Sequence, residues 1–325
     1  MYMIFRKAIY VSFLLSILSC ASGNGSERKG DGTMPVKGVD TPSFDADSAY
    51  SYIQRQADFG PRVPNTVAHE RCAAYLENEL RRFGASVQRQ TAELTAYDGT
   101  ALKASNIIGV FNKEAKNRVL LMAHWDSRPF SDQDEDRANH NKPILGVDDG
   151  ASGVGVLLEI ARHIGENAPS VGVDIVFFDC EDYGNPSGGD SESWCLGSQY
   201  WAQHPHQLNY RAKFGVLLDM VGAKGAAFSK EGFSMMYAKG VVEKIWRKAS
   251  EIGYADFFVS RQSGYITDDH LPVNEILGIP SADIINFSES GFPAHWHTQR
   301  DDMRNIDKNT LKAVGQTLMA VVYEQ

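Results

Sequence analysis

Apolar runs that end on a carboxylate or an imidazole recur along this chain. Residues 119–123 are apolar throughout and run into His124-Trp125-Asp126. Residues 174–178 carry Ile-Val-Phe-Phe into Asp179-Cys180-Glu181-Asp182, and residues 215–218 run into Asp219. Uninterrupted runs of this length predict strands buried on both faces, as in a parallel sheet covered by helices. Residues 281–285 predict a further strand. Residues 87–97 and 104–111 alternate or run apolar around Asp98-Gly99, which predicts two edge strands joined by a turn. Helical spacing predicts helices over 45–59, 151–164, 241–252 and 307–323. A fifth, over 66–83, carries Ala68, Cys72, Tyr75, Leu76 and Leu80 on one face and stops at Gly84. Strands alternating with helices predict a three-layer α/β/α sandwich with a mixed, largely parallel central sheet. Residues 128–141 are expected to form a charged, exposed loop, and the Gly/Ser-rich stretch 183–197 a long loop bordering the site.

The strand ends hold the candidate chemistry, because open α/β sheets bind ligands at the carboxyl edge of their strands. His124 lies in AHWDS, Asp149 in GVDDGASG, Glu181 and Asp182 in FFDCED, Asp219 in LLDMVGA, and His297 in FPAHWHT. Zinc takes imidazole nitrogen and carboxylate oxygen, and Asp149, Asp182 and His297 form a mixed set of that kind. Singly, each has a plainer reading. Asp149 or Ser152 could cap the helix that follows, and His297 could be a half-buried, hydrogen-bonded residue. The adjacent charges Glu181 and Asp182 at a buried strand end are harder to dismiss, because they need partners.

In this order the motifs resemble those of the zinc aminopeptidase superfamily. Within it the chain resembles bacterial glutaminyl-peptide cyclotransferases of the lipoprotein type, from about residue 44 to the C-terminus. The pattern is an HxD strand end (His124, Asp126), Asp149 before Gly-Ala-Ser-Gly, an acidic pair (Glu181, Asp182), Asp219 ending Leu-Leu-Asp, and a late His297. The resemblance implies a zinc exopeptidase-like fold and one zinc held by Asp149, Asp182 and His297. It implies that Glu181 shuttles a proton, that Asp219 bonds to Glu181, and that Asp268 shares their network. Trp194, Ile266, Phe292 and Trp296 would wall the substrate pocket. The reaction implied is closure of an N-terminal glutamine to pyroglutamate with release of ammonia. In a dinuclear aminopeptidase, His124 and Asp219 would instead hold a second zinc bridged by Asp149. A third possibility is a non-catalytic binding lipoprotein of the cell envelope. Asp268-Asp269-His270-Leu271-Pro272, Phe292-Pro293 and Trp296 match the cyclase pattern. Two positions depart from it: Asp182 stands where many relatives have Glu, and Ala123 and Val154 replace the cysteine pair of animal cyclases.

The formal charge of −9 argues against nucleic acid as a partner, which needs basic patches. Arg6 and Lys7 followed by apolar residues 8–18 form a targeting segment over 1–19, too short to span a bilayer as a helix. Without it the charge becomes −11. Ile17-Leu18-Ser19-Cys20 resembles the cleavage box of bacterial lipoproteins, which implies lipidation at Cys20, a membrane anchor, and a periplasmic or outer-membrane location. Residues 21–41 carry no apolar periodicity and read as a flexible tether. Residues 42–325 then form one catalytic domain, expected to be monomeric and to act on N-terminal glutamine peptides and secreted proteins. Of Cys72, Cys180 and Cys195, an oxidising compartment would allow one disulfide, Cys180 with Cys195, but three small buried thiols are the favoured reading.

Overall fold

The structure, a computed structural model, describes residues 41–188 and 190–325. The targeting segment, Cys20 and most of the tether lie outside the described residues. Helices α1 (Ala46–Ala57) and α2 (Val67–Arg82) lead into strands β1 (Ser86–Thr95) and β2 (Ala101–Phe111). Then follow β3 (Arg118–His124), α3 (Ala151–Glu166), β4 (Gly172–Phe178), α4 (Leu196–Gln203) and β5 (Gly215–Asp219). The rest comprises β6 (Phe228–Lys230), α5 (Gly232–Tyr237), α6 (Lys239–Glu251), β7 (Phe258–Gln262), α7 (His270–Glu275), β8 (Ser281–Ile285) and α8 (Lys308–Tyr323).

Six strands form one sheet in the order β1-β2-β4-β3-β5-β8. β3 runs parallel to β4 and β5, and β5 to β8, while β1–β2 and β2–β4 are antiparallel. The sheet is therefore mixed and largely parallel, as expected. One expectation fails. β2 is an inner strand, because Ile107–Phe111 pair with Val173–Phe177 on the side away from β1.

Side chains of a strand alternate between faces, and that alternation divides the core. Val119, Leu121 and Ala123 of β3, with Val173, Ile175 and Phe177 of β4, pack under α1, α2, α3, α6 and α8. Leu120, Met122, Val176 and Phe178 face the other way, onto Trp201 of α4 and Val273 of α7. Each such buried Leu or Ile contributes about 1.5–3 kcal/mol. The helix starts are capped by their own sequence: Asp45 accepts from Asp47 N at 2.9 Å, and Thr66 from His69 N at 3.2 Å. The short elements α4, α5, α7, β6 and β7 carry too few turns to show a period in the sequence, and α7 also contains Pro272.

Candidate metal centre and active site

Parallel pairing brings the strand ends to one edge. His124 closes β3 opposite Phe178, the last residue of β4. The chain beyond β4 turns sharply, with Cys180 at φ +55°, and presents Glu181 and Asp182. Asp126 fixes that turn: its two carboxylate oxygens accept from Glu181 N and Asp182 N, each at 3.2 Å. Asp219 closes β5 and is followed by Met220 at φ +51°. Asp149 precedes α3, yet neither it nor Ser152 caps the helix. The cap residue is Gly150, with no side-chain bond. A Cβ on Gly150 would lie 2.7 Å from Asp126 O and 3.0 Å from His124 Cε1, and its φ is +91°. Only glycine lets the Asp149 turn approach the end of β3 so closely.

Asp149 is held from behind. Asp301 accepts from Asp148 N at 2.8 Å and Asp149 N at 3.1 Å. Asp148 in turn bonds His295 Nε2 at 2.8 Å and accepts from Gly222 N at 2.8 Å. Burial, with Asp148 and Asp149 alongside, pushes the Asp301 carboxyl up to about 8 in the metal-free chain. These bonds hold the backbone of Asp149 and leave its carboxylate free to face the site.

Asp149, Asp182 and His297 converge. His297 Nε2 lies 3.3 Å from Asp182 Oδ1 and 3.5 Å from Asp149 Oδ2. All three are buried, with one ligand atom of each within 4.8 Å of the others. Asp182 Oδ2 has no hydrogen-bond partner among the described residues. The other His297 nitrogen, Nδ1, faces Asp132 Oδ1 at 3.4 Å, the carboxylate–imidazole arrangement that orients metal-binding histidines. Burial would raise the Asp132 carboxyl, but bonds from His297 and Arg128 outweigh it and hold it well below the usual range. This donor set fits zinc. A second group joins His124, Asp149 and Asp219, with His124 Nε2 at 3.1 Å from Asp149 Oδ1 and 3.2 Å from Asp219 Oδ1. Asp219 therefore bonds His124 rather than Glu181. An imidazole N–H is a ready donor, whereas two carboxylates can bond each other only through a proton.

Glu181 stands beside these groups. Its Oε1 accepts weakly from Cys195 Sγ at 3.4 Å. Burial pushes its carboxyl well above the ordinary range, His124 opposes that, and Asp182, Asp268 and Asp269 add to it. Asp268 contributes an oxygen within 4.8 Å of the Glu181 and Cys195 ligand atoms. Cys72, Cys180 and Cys195 are all free, as the favoured reading has it.

These groups open into a cavity of about 470 Å³, a size suited to a small-molecule site. Asp149, Glu181, Asp182, Asp219, Asp268 and His297 line it, together with Trp194, Ile266, Phe292 and Trp296. Every residue expected at the pocket is there except His124, which is buried behind it. The His297 ring lies between two indoles, stacked on Trp296 at 3.7 Å between centroids and nearly parallel to Trp194 at 6.1 Å. Tyr265, Thr267 and Ile285 also line the cavity and were not singled out from the sequence.

The loop expected to be exposed over 128–141 turns inward at its start. Arg128 is fully buried, donates to Asp182 O at 3.0 Å and to Asp132 Oδ1 at 2.5 Å, and sits 4.6 Å from the Trp194 ring. Its charge tolerates burial because it is paired on two sides. The exposed residues of the loop come later, at Gln133, Glu135, Asp136, Arg137, Ala138 and Asn141.

A mixed α/β sheet with aspartates and histidines gathered at its carboxyl edge defines an exopeptidase-like zinc enzyme. Comparison with known proteins agrees. The model of peptidase family M28 matches residues 106–322, and the chain belongs to that family. It is similar to the crystal structure of Tannerella forsythia glutaminyl cyclase, at 58% identity over 87% of this chain and 100% of that one, with a TM-score of 0.85. A Zn-dependent exopeptidase from Parabacteroides distasonis is similar at 55% identity over 88% of this chain and 100% of that one, with a TM-score of 0.86. Among curated relatives, the glutaminyl-peptide cyclotransferase of Bothrops jararaca is 27% identical over 68% of this chain, and the match spans 65% of that protein's length.

Proposed function

We propose that this protein is a glutaminyl-peptide cyclotransferase, converting N-terminal glutamine to pyroglutamate with release of ammonia. The observation that carries the reading is a second acidic group, Glu181 with Asp268, in the same aromatic-walled cavity as the Asp149–Asp182–His297 set. Similarity above half of all positions to a bacterial glutaminyl cyclase supports it.

In this reading Asp149, Asp182 and His297 hold one zinc per chain. A zinc held there would supply the Lewis acidity that polarises the γ-carbonyl of the glutamine side chain. Trp296 and Trp194 fix the His297 ring and keep water out, and Phe292 and Ile266 wall the side chain. The α-amine attacks the γ-carbon, a C–N bond forms, and the bond to the amide nitrogen breaks. Glu181 takes the proton of the attacking amine and returns it to the departing nitrogen, so ammonia leaves neutral. A carboxyl with a raised pKa suits such a shuttle, since it must release its proton again. Asp219 and Asp268 accept hydrogen bonds from the two nitrogens. Confining amine and amide in one cavity makes the attack unimolecular, which can supply several kcal/mol of the barrier reduction.

The His124–Asp149–Asp219 group favours one other reading, a dinuclear aminopeptidase. Against it, the chain is 58% identical to Tannerella forsythia glutaminyl cyclase over nearly its whole folded length. A peptide beginning Gln-Phe, incubated with the purified protein and zinc, separates the two. Loss of one ammonia from an otherwise intact peptide supports the cyclase, and release of free glutamine supports the peptidase. Residues 42–325 act as a single monomeric catalytic domain, tethered by residues 20–41 to a lipid anchor at Cys20 on the bacterial envelope. The positive start, the short apolar core and the Ile17–Cys20 box support that placement, with N-terminal glutamine peptides and secreted proteins as substrates.

A further inference from the structure

Glu181 has a thiol beside it that the reaction does not use. Cys195 Sγ lies 3.4 Å from Glu181 Oε1, and Glu181, Cys195 and Asp268 each bring one donor atom within 4.8 Å of the others. None of the three belongs to the Asp149–Asp182–His297 set. Glu181 and Asp268 line the cavity, whereas Cys195 sits behind its wall, 1% exposed. The backbone fixes the thiol there. Cys195 N donates to Glu181 O at 3.0 Å and Leu196 N to Cys180 O at 3.1 Å, which ties the returning loop to the turn that carries Glu181. Cys195 heads α4 at φ +57° and makes no capping bond through its side chain. A residue other than glycine rarely takes that conformation, and here it turns the sulfur to Glu181.

Charge and unmet hydrogen bonding both favour a cation at this point. Asp268 is buried, and its Oδ2 has no hydrogen-bond partner among the described residues. The same is true of both carboxylate oxygens of Asp269, which is fully buried. Burial pushes the Cys195 thiol well above its ordinary range, and Glu181, Asp269 and Asp268 add to that. The negative groups that keep the proton on sulfur equally favour a divalent ion in its place, and a coordinating thiol gives up its proton. One imidazole stands against them, with His124 Nδ1 at 3.9 Å from Glu181 Oε2. Zinc bonds of about 2.3 Å to sulfur and about 2.1 Å to oxygen hold tetrahedral partners roughly 3.6 Å apart. Glu181 and Cys195 already stand near that separation, and a small side-chain movement brings in Asp268.

We propose that Glu181, Cys195 and Asp268 form a second, inhibitory metal site. It takes a thiophilic divalent cation, such as zinc in excess over the equivalent assigned to Asp149, Asp182 and His297. On binding, the thiol proton leaves to solvent and the sulfur and two carboxylates share the ion. The carboxylate of Glu181 is then occupied, so turnover stops while the cation stays. Binding is independent of the cyclotransferase reading. The inhibition rests on it, since that reading makes Glu181 the proton shuttle.

Cadmium titrated into the zinc-loaded protein reads the site directly, because a cadmium–thiolate pair absorbs in the ultraviolet. Wild type is expected to take a second metal equivalent, to develop that band, and to lose pyroglutamate formation from a peptide beginning Gln-Phe in parallel. Cys195→Ser removes the sulfur with little change of size. It should show no band, and its half-inhibiting cadmium concentration should rise about tenfold or more, since even the partners behind a metal ligand are worth that much. Asp268→Asn, read by metal binding rather than turnover, should shift the titration of the band to higher cadmium. Absence of the band in wild type overturns the proposal, as does a band that survives Cys195→Ser or titrates unchanged in Asp268→Asn. So does a second equivalent lost in His124→Ala but kept in Cys195→Ser, which would place the cation with His124, Asp149 and Asp219. Zinc-loaded protein that makes no pyroglutamate before cadmium is added would instead overturn the cyclotransferase reading, while the band still decides the site.

Discussion

Replacing Glu181 by Gln isolates the proton shuttle from everything else in the cavity. The amide has nearly the shape of the carboxylate, and the turn that carries it is held through backbone N–H bonds to Asp126, which the change does not touch. None of the three residues assigned to zinc is altered. The variant should therefore keep its metal and its substrate affinity while losing the ability to move a proton. General acid–base catalysis is worth about 10²–10⁴-fold, so kcat should fall by that factor, or about 3–5 kcal/mol, with KM changed little. Stability should move the other way. Burial, with Asp182 and Asp268 nearby, raises the Glu181 carboxyl in the folded chain despite His124. The folded state then retains a proton that the unfolded chain has released, so this group's contribution falls as pH rises above the ordinary carboxylate range. In metal-free protein, the stability of Glu181→Gln relative to wild type should increase from pH 4.5 upward. Ammonia release, metal content by mass spectrometry and melting curves across pH read these out. A Gln variant that turns over at near-wild-type rate removes the shuttle role, and one that loses zinc shows that Glu181 is a ligand.

Asp182→Ala and His297→Ala should each lose bound zinc, and unchanged metal content in either would refute the ligand set. His124→Ala should keep one equivalent of zinc, because His124 belongs only to the group with Asp149 and Asp219, whereas loss of a second metal equivalent would revive the peptidase reading. Asp132→Ala removes the carboxylate behind His297 Nδ1 and one partner of the buried Arg128. Zinc affinity by competition with a chelating dye should fall about 10–100-fold, and unaltered affinity would show that Asp132 serves only the loop.

How much of this site was legible in the sequence follows from what apolar patterning reports. Strands buried on both faces leave uninterrupted apolar runs, so the ends of β3, β4 and β5, and with them His124, Glu181, Asp182 and Asp219, were readable. Asp149 and His297 were readable from their motifs as zinc donors, and the resemblance supplied Asp268 and the aromatic walls; all of these line one cavity, with His124 placed more deeply. β2 was misplaced because a strand with one alternating end resembles an edge strand until its second partner is known. Arg128 and Asp132 were read as an exposed loop because a run of charge normally stays in water. Here the charges turn inward, since Asp182 and His297, distant in sequence, arrive to pair with them. The same holds for Asp301, which holds Asp148 and Asp149 from 152 or more positions away. Local patterning records whether a side chain is apolar. It does not record whether a charge will find a partner distant in sequence, and much of the polar layer that orients the ligands of this site is made of such meetings.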